Sequence, residues 1–310
     1  MGEIALSVDD DCSVIWSEYY REFPCFREQT VREGCQPRKL LHERGTKKAV
    51  VLVHGLTDSP FYLLDIARYF HLSLGYDVYL PLLDGHGLQH PGKMLGVSLA
   101  KWKKNVRFAI QTATEKADSV SIGGLSTGGT LAVYFAGTDP AITGELYLFS
   151  AALGIYGGPY GIFGGLLEFL LCTPFIRFFD INSPLVGKHP YRYDRVPLHS
   201  AAELVKLIAE TDRLLKSPDD PVTAKRIFAA WTDFDLVVNV SKLRRLCDLL
   251  KNSRIVSFSI PKLARVEHAG LVLKEPIYPK DRKPGDVPLE AANPRFAEMM
   301  AALGRFEAGA

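Results

Sequence analysis

The sequence predicts an α/β domain built on a mostly parallel central sheet flanked by helices, and three observations carry that prediction. From Ala49 onward, short β-branched runs alternate with longer amphipathic runs, the rhythm of strands joined by crossover helices. The strand candidates are apolar at consecutive positions, as strands covered on both faces must be, whereas a half-exposed antiparallel sheet would alternate. Helix starts are marked just after strand and loop: Ser59-Pro60 precedes Leu63, Leu64 and Ile66, and Ser98 precedes Leu99, Trp102 and Val106.

Taken in chain order, residues 1–46 form an N-terminal extension expected to pack on the core. Its apolar positions Ile15, Trp16, Tyr19 and Phe23 recur at helical spacing, as on one face of an amphipathic helix. Residues 47–150 make the first part of the core, with strands over 49–53, 77–80, 119–123 and 145–149. Between 151 and 222 the rhythm breaks into a Gly- and aromatic-rich segment, Gly157-Gly158-Pro159-Tyr160-Gly161 through Phe178-Phe179, which we read as an inserted lid. Its apolar stretch 153–179 is interrupted by Pro159, Glu168, Pro174 and Arg177, against a membrane span. Strands resume over 226–230 and 254–259, so that 223–310 forms the second part of the core and ends in a helix over 294–303.

Bulk properties narrow the function classes. With 310 residues, 47% hydrophobic and 23% charged, the chain has the composition of a globular protein with a substantial core. A formal net charge of +2, with basic residues spread along the chain, gives no footprint for a nucleic-acid partner. Cys12, Cys25, Cys35, Cys172 and Cys247 form no C-x-x-C pair and no ligand spacing with histidine, which argues against structural zinc. Cys25 and Cys35 would close a short loop in an exported protein, whereas a reduced pair fits a cytoplasmic one. The start, Met1-Gly2-Glu3 and then Asp9-Asp10-Asp11, lacks the basic-then-apolar order of a signal peptide. A cytoplasmic location is therefore expected, with a periplasmic or secreted one kept for a chain whose signal has been removed. Oligomeric state is not written in these features.

The chemistry-bearing feature is Gly123-Gly124-Leu125-Ser126-Thr127-Gly128-Gly129, which follows a strand and opens a helix. A strand that turns abruptly into a helix strains its central residue, and side chains at the flanking positions would collide, hence Gly124 and Gly128. The turn lifts the Ser126 hydroxyl clear of the sheet and sets the Thr127 N–H at the positive end of a helix, where an oxyanion can be held. A serine hydroxyl is a poor nucleophile near neutral pH, so a neutral imidazole must take its proton and a carboxylate must hold that imidazole.

A second element, Val51-Leu52-Val53-His54-Gly55-Leu56, is a buried strand ending in His-Gly, and with it the chain resembles the α/β-hydrolase superfamily. The resemblance implies that the Leu56 N–H joins that of Thr127 in an oxyanion hole, and that His54 is structural. Asp84-Gly85-His86-Gly87 is similar to the Gly-His-Gly loop of monoacylglycerol lipases and related bacterial carboxylesterases; read alone it is a turn with a capping histidine. A metal reading of His86 and His90 is opposed by Gly87 and Pro91 between and after them.

In this fold the acid and base follow the serine in chain order, each just beyond a late strand. Trp231-Thr232-Asp233-Phe234-Asp235-Leu236-Val237-Val238 resembles the family's acid loop, in which aspartate precedes x-Val-Val, and points to Asp235, with Asp233 as the alternative because loop register is open. Within Arg265-Val266-Glu267-His268-Ala269-Gly270, His268 is the only histidine beyond the acid loop and is the expected base. The resemblance implies a carboxylic ester hydrolase, a carboxylesterase or monoacylglycerol lipase, with catalytic Ser126, Asp235 and His268. It takes a small ester or lipid and needs no cofactor or metal. The lid's Leu, Ile and Phe content suits an apolar acyl pocket or transient contact with a lipid surface. The alternatives are an amide or peptide hydrolase of the serine aminopeptidase type on the same triad, and a ligand-binding protein that keeps the fold without turnover.

Overall fold

A computed structural model describes residues 12–92, 94–156, 170–171, 184–217, 221–249 and 254–309. The chain opens with a two-residue strand β1 (Val14–Ile15), helix α1 (Ser17–Glu22) and strand β2 (Arg38–Leu40). It continues through β3 (Lys48–Val53), a 3-10 turn (Pro60–Leu63) running into α2 (Leu64–Leu74), β4 (Asp77–Leu80), α3 (Leu99–Thr114), β5 (Ser119–Leu125), α4 (Thr127–Thr138) and β6 (Leu146–Phe149). After the segment 150–226, which carries α5 (Leu198–Leu215), come β7 (Ile227–Thr232), α6 (Val240–Leu249), β8 (Ile255–Ile260) and α7 (Phe296–Ala308).

Eight strands form one sheet in the order β1-β2-β4-β3-β5-β6-β7-β8. β1 and β2 run antiparallel, as do β2 and β4; every other pairing is parallel. The six strands expected from the sequence are all present, shifted by at most two residues at either end. Their double-sided apolarity has the expected cause. Val51 and Val53 of β3 pack with α3, α4 and α5 through Val106, Leu131 and Leu207. Val50 and Leu52 of the same strand pack with α2 and α7 through Ile66, Phe70 and Leu303. β8, at one sheet edge, alternates in burial from Val256 to Ile260.

Three local expectations are corrected. The N-terminal helix is shorter than its apolar spacing implies: Trp16, Tyr19 and Phe23 are buried, but Ile15 lies in β1 and is 39% exposed, because the helix begins only at Ser17. Ser59 has the extended backbone of an N-cap, but its hydroxyl donates to the Tyr191 carbonyl at 2.8 Å instead of capping α2. Ser98 does cap, accepting from the Lys101 N–H at 3.4 Å. The final helix starts two residues later and ends five residues later than expected. Cys25, Cys35 and Cys247 are free thiols; Cys172 and most of the 153–179 stretch lie outside the described residues. Among the described residues no helix is long and apolar enough to cross a membrane.

Candidate active site

In a parallel sheet the loops beyond the carboxyl ends of the strands meet at one edge, and that is where the sequence-selected residues gather. Ser126 sits between β5 and α4 with φ 55° and ψ −118°, a strained conformation that only dense surroundings can enforce. Those surroundings explain the glycines. A Cβ on Gly128 would come within 1.8 Å of the Val53 carbonyl oxygen, and one on Gly124 within 2.4 Å of the same atom. The elbow is thus pressed against the end of β3, and only two missing side chains permit it. Ser126 is 5% exposed and opens into a cavity of about 560 Å³.

Thr127 is the first residue of α4, so its N–H has no intrahelical acceptor and lies at the positive end of the helix dipole. Leu56 follows β3 on the loop that passes over Ser126; a Cβ on Gly55 would lie 3.3 Å from that of Ser126. Leu56 lines the same cavity. The loop is held from behind by two histidines. His54, fully buried, bonds the Gly55 carbonyl through Nδ1 at 2.8 Å and accepts the Leu83 N–H on Nε2 at 3.1 Å. Burial, with His86 beside it, drives its pKa well down, so it is a neutral structural ring. His86 Nε2 lies 2.5 Å from the Leu56 carbonyl oxygen, and its Nδ1 3.1 Å from that of Asp84. Gly85 and Gly87, at φ 81° and 65°, make the turn that presents His86.

The acid loop follows β7. Asp235 Oδ1 accepts the N–H groups of Val237 (2.9 Å) and Val238 (3.0 Å), which is the physical content of the Asp-x-Val-Val pattern. Its Oδ2 accepts from His268 Nδ1 at 2.6 Å, and its side chain is fully buried. Asp233 points elsewhere, paired with Arg244 and accepting the Trp231 indole N–H at 3.1 Å. The His268 loop follows β8 and is tied to the Asp235 loop by the Thr232 hydroxyl, which donates to the Val266 carbonyl at 2.7 Å. Burial alone would raise the Asp235 pKa and depress that of His268. The attraction between them outweighs it in both cases, holding Asp235 below the usual carboxylate value and His268 above the usual histidine value. With Nδ1–H committed to Asp235, His268 Nε2 is left buried with no hydrogen-bond partner among the described residues, and both His268 and Ser126 line the cavity.

The cavity has features that no motif signals. Ile155, Leu171, Leu198 and Leu204, all from the segment read as a lid, give it an apolar lining. Three charged residues also line it: Arg192 bonds Glu290 at 2.8 Å, and Asp58 interacts with both. Burial lifts Glu290 to about 6 despite the attraction of Arg192. Asp58 lies four residues beyond His54 and Glu290 in the Pro-rich stretch before α7, so only the fold unites them with Arg192.

Comparison with known proteins agrees with this geometry. The sequence profile of the Hydrolase_4 family, described as serine aminopeptidase S33, matches residues 44–175. A thermostable monoacylglycerol lipase of Bacillus sp. (strain H-257) is 32% identical over 164 residues, covering 52% of this chain and 62% of that protein; the chain thus spans less than two thirds of its relative's length. A structure of the metagenome-derived lipolytic enzymes LipS and LipT superposes with a TM-score of 0.63 at 20% identity, over 90% of this chain and 99% of that one. A soluble variant of monoglyceride lipase from Saccharomyces cerevisiae gives 0.58 at 14% identity, over 88% and 91%. At those identities the structural likeness is one of fold. Sheet order and the strand-to-helix elbow give this chain the fold of these lipolytic enzymes, and over about half of its length its sequence is similar to a monoacylglycerol lipase.

Proposed function

We propose that this chain is a serine ester hydrolase of the carboxylesterase or monoacylglycerol lipase type, working through an acyl-enzyme on Ser126. One observation carries the reading: a serine on a strained strand-to-helix elbow shares a cavity with an imidazole whose Nδ1 is locked by a buried aspartate and whose Nε2 is unoccupied. In the mechanism, His268 Nε2 takes the Ser126 proton as Oγ attacks the acyl carbonyl, and Asp235 stabilises the imidazolium. The N–H groups of Leu56 and Thr127 bind the oxyanion. His268 then protonates the departing alcohol, and water enters by the same route to release the acid.

The cavity suggests how an ester lies in it. Its apolar lining suits the acyl chain, and the charged group of Asp58, Arg192 and Glu290 suits a polar alcohol. Residues 151–222 serve as the lid, with 47–150 and 223–310 as the two parts of the core and 1–46 as the extension. Val196, Leu236 and Val237 line the cavity and are 47%, 59% and 51% exposed, an apolar rim suited to transient contact with a lipid surface. The similarity to a monoacylglycerol lipase supports the ester reading. The profile named for serine aminopeptidases favours a second one, amide cleavage by the same groups.

The test is a series of p-nitrophenyl esters of rising acyl length, run beside an aminoacyl amide, on the wild-type chain and Ser126→Ala. Ester turnover that disappears in the variant is expected. Faster amide than ester turnover would favour the second reading, and turnover unchanged by Ser126→Ala would end both.

A further inference from the structure

Away from the active site, at the opposite end of the strands, three residues distant in sequence converge. Asp77 opens β4 at its amino end, His71 sits in the last turn of α2, and His42 lies on the loop after β2. One ring nitrogen of each histidine and one carboxylate oxygen of Asp77 lie within 4.8 Å of one another, a group without a counterpart among the described residues. His42 Nδ1 is 3.1 Å from Asp77 Oδ1, and the two imidazoles lie 4.0 Å apart, centroid to centroid.

The donors are already oriented. His71 Nδ1 is 3.1 Å from the Tyr76 carbonyl, which accepts its proton and leaves the Nε2 lone pair uncommitted. Metal-bound histidines show this arrangement, their second ring N–H held by a carbonyl or carboxylate. Asp77 is fixed as well, Oδ1 accepting the His42 backbone N–H at 2.8 Å. The Asp77 side chain is 4% exposed and that of His42 35%, so the cluster is walled on one side and open to water on the other.

We propose that His42, His71 and Asp77 bind one zinc ion, with water as the fourth ligand. Ligands at about 2.0–2.2 Å on a tetrahedron stand roughly 3.3–3.6 Å apart, close to the 3.1 Å already separating His42 Nδ1 from Asp77 Oδ1. The remaining separations, all within 4.8 Å, close by small rotations of the half-exposed His42 ring and of the His71 ring. Two imidazoles and one carboxylate suit Zn²⁺, whereas Mg²⁺ and Ca²⁺ demand oxygen ligands throughout. Binding exchanges the His42 Nδ1 proton, released to solvent, for the metal bond. The ion clips the loop after β2 to α2 and β4 and takes no part in ester chemistry. No spacing motif reveals it, because the residues stand 29 and 6 positions apart (71 − 42 and 77 − 71) and only the fold joins them.

The test is calorimetric titration of the chelator-stripped full chain with zinc chloride, with thermal unfolding in parallel. One equivalent bound at micromolar or lower Kd, with a rise in Tm that magnesium and calcium chloride do not produce, is expected. His42→Ala, whose side chain is partly exposed, and His71→Gln should each weaken binding at least about tenfold and abolish the Tm rise. His90→Ala, a histidine elsewhere, should bind as the wild type does, and His42→Ala should keep its ester turnover in chelator. Absence of uptake at 100 µM zinc, or uptake unchanged in both His42→Ala and His71→Gln, overturns the site.

Discussion

Asp235→Asn changes one group, and its consequence follows from the hydrogen bonds already in place. Oδ1 accepts two backbone N–H groups, from Val237 and Val238, so the asparagine carbonyl must take that position and its NH₂ must face His268 Nδ1. Nδ1 is then forced to accept, the proton moves to Nε2, and the nitrogen that should deprotonate Ser126 carries a hydrogen instead. A loss of about 10³- to 10⁴-fold in kcat/KM is expected, roughly 4–5.5 kcal/mol of transition-state stabilisation. In the wild type the acidic limb of kcat/KM should lie above pH 6.5, because the Asp235 carboxylate raises His268 and activity falls as that ring protonates. With the carboxylate gone, burial acts unopposed and any residual activity should titrate below pH 6.5. Stability follows the same groups. The depressed Asp235 stabilises the fold above its unfolded value of 3.8, and this is lost as pH falls through its folded pKa. The raised His268 stabilises below its unfolded value of 6.5, and this is lost as pH rises through its folded pKa. The variant should therefore lose most Tm between pH 4 and 6.5. The assay is ester hydrolysis from pH 5 to 9, with Asp233→Asn as control, since Asp233 faces Arg244. A variant within tenfold of wild type, or an Asp233→Asn defect as large, would refute the reasoning.

His86→Ala should reduce kcat about 10²-fold with little change in KM, by releasing the Leu56 carbonyl and unsettling an oxyanion donor; steady-state kinetics on a short-chain ester checks it. Gly128→Ala should lower stability by about 3 kcal/mol or more, because its Cβ would stand 1.8 Å from the Val53 oxygen, while Gly96→Ala, with open space around it, should be near neutral; urea unfolding compares them. Arg192→Ala removes the cation that offsets Glu290. Glu290, already at about 6, should rise further, so the variant should lose more Tm at pH 8 than at pH 5, where the carboxyl is protonated in both proteins.

What the sequence made legible was whatever a local rule governs. The parallel strands announce themselves because both faces of β3 must be apolar, and the elbow because Gly124 and Gly128 abut the Val53 carbonyl. Asp235 was separable from Asp233 only by resemblance; the geometry adds the reason, since the valine N–H groups at two and three residues beyond Asp235 hold its carboxylate toward His268. β1 and β2 were not legible: β1 is only two residues, and its Ile15 falls into the helical spacing of Trp16, Tyr19 and Phe23, while β2 is three residues of which two are basic. Ser59 looks like a cap in sequence, but the Tyr191 carbonyl, 132 positions away, captures its hydroxyl. Separation in sequence likewise hid the Asp58, Arg192 and Glu290 cluster and the His42, His71 and Asp77 group.

The reactivity of one hydroxyl is tested most directly by treating the folded chain with a fluorophosphonate probe and mapping the adduct by peptide mass spectrometry. One adduct per chain, located on Ser126 and absent from both Ser126→Ala and acid-protonated enzyme, is the expected result. A chain that stays unlabelled while folded, or an adduct on any other residue, would contradict it.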